Sequence, residues 1–227
     1  MDLIYTVVRS AKRRKLTITV ERNRSVVVHA PEGTPDAKIR QVVDAKRHWI
    51  YEKIGHRQKY QNRPHAPGKE LVSGESALYM GRQYRIEVIK TGQTEIQFDQ
   101  KFFMPKAHAE ERKEALREWY IQRAEAKIIP RVKRQARELG VTYANAHIVD
   151  NLYRWGSCTI NNNISLNWRL IKAPVFVIDY VIVHELAHLI EPNHTPRFWN
   201  IVRSQVPTTE KAKAWLKENG QLLEEAI

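Results

Sequence analysis

His184, Glu185 and His188 form the pattern H-E-x-x-H, and His194 follows six residues after the second histidine. On a helix, residues four apart share a face, so both imidazoles can turn toward one cation. Glu185 adjoins His184, and its carboxylate can reach a water held on that cation. The set supplies two neutral nitrogen ligands and a general base for metal-assisted hydrolysis. Val181, Ile182, Val183, Leu186, Ala187, Leu189 and Ile190 make the surrounding helix apolar nearly all round, the pattern of a buried helix. Two histidines and a glutamate in such a helix are costly without partners, which a metal would provide. A hydrogen-bonded core pair of histidines is the plainer alternative.

Pro192 and Asn193 are expected to end this helix. A chain turning back there brings His194 to the cation as a third ligand and leaves one position open. The six-residue offset matches the metzincin pattern H-E-x-x-H-x-x-G-x-x-H, but Glu191 stands where the turn glycine would be, so a metzincin proper is not expected. Tyr180 lies four residues before His184 and shares its face, which lets its hydroxyl approach the site or simply pack.

The elements that must position these residues are read from periodicity. Tyr5–Arg9, Leu16–Glu21 and Val26–Ala30 read as short strands, and Asp36 to about Tyr60 reads as one helix with a basic face that carries Trp49 and Tyr60. After a loop over Gln61–Gly74, further strands are expected at Ala77–Met80, Gln83–Ile89, Glu95–Phe98 and Phe102–Met104. Glu110–Leu139 reads as a long helix that Gly140 caps and Pro130 kinks or breaks. His147–Val149 and Ile164–Asn167 then flank Arg154-Trp155-Gly156-Ser157-Cys158, a hairpin suited to lie along a substrate cleft. Pro174 opens the metal helix in its first turn, and two helices finish the chain. The expected class is α+β: a small β-rich N-terminal part with one helix over 1–105, then a helical catalytic domain with a β-hairpin over 106–227.

Composition bounds the setting. The 227 residues carry a net charge of +13. Residues 1–150 hold 30 Lys/Arg against 18 Asp/Glu, while residues 151–227 hold 8 against 7, so the basic excess lies outside the metal-binding part. That excess suits steering of an anionic partner, nucleic acid included, or a solvated basic surface. No window approaches the ~18 uninterrupted apolar residues of a membrane span. The single cysteine, Cys158, forms no internal disulfide and fits a reducing, cytoplasmic compartment.

Taken together, Arg154-Trp155-Gly156-Ser157-Cys158, Leu166-Asn167-Trp168-Arg169-Leu170, Ala173-Pro174, Ile178-Asp179-Tyr180-Val181 and HELAHLIEPNHTPRFW resemble the YgjP-like metal-dependent hydrolases. The opening RKLTITVERNRSVVVHAP and the helix with Trp49-Ile50 are similar to that family's N-terminal part, so the resemblance spans most of the chain. It implies a zincin-like catalytic domain, distantly related to SprT-type proteins, with His184, His188 and His194 as ligands and Glu185 as base. Some relatives are described as nucleoside triphosphate pyrophosphatases acting on UTP.

Three readings follow. The first is a zincin-type metallopeptidase with a divalent metal, zinc first, nickel and cobalt also suiting imidazole. The second is a nucleoside triphosphate pyrophosphohydrolase using the same metal and base, with Arg154 or Arg169 holding phosphates. The third is a nucleic-acid-binding module with a structural metal, against which stands the presence of three ligands rather than the usual four.

Overall fold

The computed structural model describes residues 3–20, 25–55, 70–89, 95–151 and 154–224. Tyr60, Glu21 of the second expected strand and most of the expected Gln61–Gly74 loop lie outside these. The chain divides into two compact units, residues 1–65 and 66–227.

In the first unit, strands β1 (Thr6–Ser10), β2 (Thr17–Val20) and β3 (Val26–Pro31) form a sheet of order β1-β3-β2, with β1 parallel and β2 antiparallel to the central strand. Alternation puts Val26, Val28 and Ala30 of β3 into a core shared with Ile39, Val43 and Ile50. The single helix expected here is two, α1 (Asp36–Ala45) and α2 (Arg47–Gly55). At Lys46 the backbone leaves helical geometry, and its N–H is shared between the carbonyls of Val42 and Val43. The new helix direction buries Ile50 and turns Trp49 and Tyr51 outward.

The second unit begins with β4 (Ser76–Tyr79), β5 (Arg82–Ile89), β6 (Gln97–Phe98) and β7 (Phe102–Pro105), in the order β4-β5-β7-β6. These strands lie in the unit of residues 66–227. Their aromatic face, Tyr79, Phe98 and Phe102, packs edge-on or tilted against Trp119 of the long helix α3 (Ala109–Leu139), so sheet and helix share one core. Helix α3 continues through Pro130 without a break and ends on Gly140 in the left-handed conformation.

A second sheet follows, from β8 (Asn145–Val149), β9 (Gly156–Cys158) and β10 (Asn163–Asn167), ordered β8-β10-β9. Strand β9 was not expected from the sequence. Three residues with a glycine and a serine give no hydrophobic alternation, and the antiparallel register Ser157↔Ser165 alone defines it. The chain then passes through a 3-10 helix (Trp168–Lys172) into α4 (Val175–Ala187), followed by α5 (Pro196–Gln205) and α6 (Thr209–Glu224). Pro174 is the N-cap of α4 rather than a first-turn residue. No described helix is long and apolar enough to cross a membrane.

Two contacts fix α4. The β4–β5 turn, with Met80 and Gly81 at positive φ, donates its N–H groups to the carbonyls of Ile171 and Lys172. A Cβ on Gly81 would come within 2.6 Å of Pro174, so the turn needs glycine both for its φ and for this approach. Farther along, Asp179 accepts two hydrogen bonds from Arg131 of α3, at 2.8 and 3.0 Å.

Asp150 ties the sheet connection to α3 through Arg117 and to the 3-10 helix through Arg169. Burial alone would raise its carboxyl, but the hydrogen bonds from Arg117 and Arg169 outweigh this and hold it at about 2. A folded-state value below the unfolded one stabilises the protein above the usual carboxylate range and ceases to do so as pH falls through the folded value. Asp150→Asn should therefore lower stability at pH 7, by about 1 kcal/mol given the partial exposure of these ion pairs. In urea melts the gap to wild type should close between pH 4 and pH 2; a gap unchanged over that range would show that the ion pairs do not set it.

Candidate metal centre

Helix α4 is buried on nearly every side, as its apolar sequence requires. His184 lies in its last turn and His188 is its C-cap, still with helical dihedrals, so the four-residue spacing keeps both rings on one face. The regular helix stops there, four residues earlier than Pro192 suggested, and turns through Leu189 and Ile190. His194 is placed from the other side. Thr195 caps α5 by accepting a hydrogen bond from the Phe198 N–H, and Pro196 opens its first turn, which fixes the residue just before the cap.

The three imidazoles converge. One ring nitrogen from each of His184, His188 and His194 lies within 4.8 Å of the others, and the Nε2 atoms of His184 and His194 are 3.0 Å apart. Phe198, fully buried, packs on all three rings at centroid distances of 5.0, 4.6 and 4.7 Å. Trp199 stacks on His194 at 5.6 Å. Burial first, then the neighbouring histidines, depresses His184 to about 4, and burial also lowers His188 despite carbonyls of Glu191 and Pro192 that favour its charged form. His184 and His188, held neutral by burial, aim with His194 at one point, the nitrogen donor set that a divalent cation needs. The group fits a metal.

Glu185 is 7 % exposed beside this cluster. Burial raises its carboxyl to about 7, with the charge of Arg154 and the backbone N–H of Cys158 acting in the opposite direction. Gly156 makes room for it, since a Cβ there would sit 2.7 Å from Glu185 Cγ and 2.8 Å from Oε1. The glycine and the Cys158 N–H therefore define where the carboxylate lies. Sequence reasoning quoted both residues but gave neither a role, because the distance from residue 156 to residue 185 is visible only when β9 forms.

The remaining candidates divide. Arg154 is exposed, and its charge reaches Glu185. Tyr180 is buried one turn before His184, its ring 5.9 Å from that imidazole, and burial together with the charges of Glu210 and Glu185 raises its phenol to about 12. Arg169 is engaged elsewhere, paired with Asp150 and lying 4.4 Å over the Trp168 ring. Asn167 was not singled out as a site residue. It is buried, donates from its side chain to the carbonyls of Asn151 and Arg154, and accepts from the Arg169 N–H, so it anchors the segment leading into β9.

Comparison with known proteins adds to this geometry. No curated protein matches the chain. Among solved structures, the metallopeptidase zymogen of Methanocaldococcus jannaschii jannalysin is similar with a TM-score of 0.37 and 23% identity, over 42% of this chain and 97% of that one. The metallopeptidase zymogen of Pyrococcus abyssi abylysin gives 0.38 and 20%, over 44% and 99%. The family model described as YgjP-like, metallopeptidase domain, matches residues 14–219. The chain belongs to the YgjP-like family and is a metal-dependent hydrolase.

Proposed function

We propose that the protein is a zincin-type metallopeptidase in which His184, His188 and His194 hold the metal and Glu185 is the general base. The observation that carries the peptide reading is the edge strand beside Glu185. The hydrogen bonds Asn167 N–H to Trp155 O and Thr159 N–H to Asn163 O turn residues 155, 157 and 159 toward β10. By the alternation of antiparallel pairing, Gly156 and Cys158 turn their backbone groups outward. The outward Cys158 N–H is given to Glu185, so an extended peptide added to this edge would pair through Gly156 and run past the base.

His184, His188 and His194 would hold a divalent cation, which would supply Lewis acidity toward the scissile carbonyl and the attacking water. Neutral nitrogen donors suit zinc, with nickel and cobalt next. Glu185, raised to about 7 by burial, takes the proton of the attacking water near neutral pH and delivers it to the leaving amine. Gly156 and the Cys158 N–H hold that carboxylate in place. Tyr180, protonated and buried, supports the His184 ring. The exposed Arg154 beside Glu185 also suits a phosphate, so nucleoside triphosphate pyrophosphohydrolysis is the second reading.

An unbiased peptide library and a panel of nucleoside triphosphates, each given to metal-loaded wild type and to Glu185→Gln, decide between them. The peptidase reading expects peptide cleavage that falls by about 10²–10⁴-fold in the variant while metal content is kept. Pyrophosphate release that vanishes in Glu185→Gln, without peptide cleavage, gives the site to nucleotides instead. His184→Ala and His188→Ala should each lose stoichiometric metal by elemental analysis, and His194→Ala should compete less well against a chelator; retained affinity would remove the substituted residue from the ligand set. Gly156→Ala should bind metal as wild type does yet lose most turnover, because its methyl group displaces the Glu185 carboxylate. Full activity in that variant would contradict the positioning role.

A further inference from the structure

The metal centre has a wall that neither the ligand set nor the base accounts for. Trp199 of α5 stacks on His194 and lies 5.8 Å from His184, so its indole extends the imidazole cluster outward. From α6 the Lys213 ammonium lies 4.6 Å from the centre of that indole, and from α5 itself the Arg203 guanidinium lies 6.0 Å from it. Both cations share one anion, Glu210, at 3.1 and 3.2 Å, which leaves the cluster one positive charge in excess. Lys213 is near enough to His184 to help depress that ring. On the Glu185 side stands a further cation, Arg154.

The charge count is informative. Three neutral imidazoles contribute no negative charge to a divalent cation, and Glu185 is the one carboxylate of the proposed machinery. A site of this kind, flanked by Lys213 and Arg154, is strongly cationic once loaded. Cations gathered there carry a like-charge cost that an incoming anion relieves. Lys213 is also preorganised for such an anion, since Glu210 and the Trp199 face restrain a side chain that otherwise keeps much rotamer freedom.

The geometry points to Lys213 as a specificity-determining residue: its ammonium, seated over Trp199 beside the ligand histidines, binds a carboxylate of the peptide substrate close to the bond that is cut. The proposal rests on the peptidase reading and adds the substrate class, peptides with an acidic group near the cleavage point. That carboxylate is either an Asp or Glu side chain or the free C-terminus, and the chemistry at Lys213 is the same for both.

The test uses metal-loaded protein and matched peptides that differ only in carboxylate against carboxamide, at one side chain or at the C-terminus. Wild type should favour the carboxylate member by about tenfold in kcat/KM, the size expected of one charge-assisted contact. Most of that difference should lie in KM. Lys213→Ala should abolish the preference, Lys213→Arg should restore most of it, and Lys213→Glu should invert it toward peptides with a basic residue. A preference lost on side-chain amidation assigns the anion to Asp or Glu, and one lost on C-terminal amidation assigns it to the α-carboxylate. Peptides cut with no carboxylate preference, or with one that survives in Lys213→Ala, overturn the proposal and leave the peptidase reading standing. No cleavage of any peptide by wild type overturns the peptidase reading, and the proposal with it.

Discussion

A helix that is apolar nearly all round must hold two half-buried imidazoles and a buried carboxylate, and much of the second unit answers that demand. Burying such groups costs several kcal/mol unless each finds a partner. Here His188 meets the carbonyls of Glu191 and Pro192, and Glu185 meets the Cys158 N–H, while His184 faces His194 across 3.0 Å. Among the described residues, His184 Nδ1 is buried and has no hydrogen-bond partner. Its partner nitrogen therefore carries the polar interactions of the ring, and those converge on the point shared with His194.

The supports around this helix differ in kind. Apolar packing by Phe198 holds the three rings at once, so their mutual geometry depends on one buried side chain more than on any single hydrogen bond. The Arg131–Asp179 pair, with both side chains partly exposed, contributes orientation more than stability. Asn167 ties the strand that carries Gly156 to the segment before it, and so links the position of the base to the β-sheet.

How much of this was legible in the sequence depended on distance along the chain. His184, Glu185 and His188 announce themselves because helical periodicity converts their spacing directly into a shared face. His194 was accessible for a related reason, its six-residue offset from His188 across a turn marked by Pro192 and Asn193. The long helix closed by Gly140 and the strands with regular alternation were equally plain. Strand β9 was not, because Gly156-Ser157-Cys158 has no hydrophobic pattern and exists only through its pairing with β10. Roles that depend on it, the clearance at Gly156 and the Cys158 N–H, were hidden for the same reason. The packing of the aromatic residues of β4–β7 on α3 was equally hidden, because it joins segments that strand-rich composition alone does not connect. Lys213 and Arg203 carried no signal in the sequence, because only the fold brings them to Trp199.

The meeting of Gly81 with Pro174 carries a consequence for how the protein assembles. The start of the metal helix is registered against a hairpin turn made about 90 residues earlier in the chain. Closing so large a loop comes before any reward from the contact. During synthesis the hairpin must wait for residues 171–174 to emerge, and its aromatic face can be covered by α3 in the meantime. On the proposed ligand set, cation capture would follow the meeting of this early hairpin with the start of the helix.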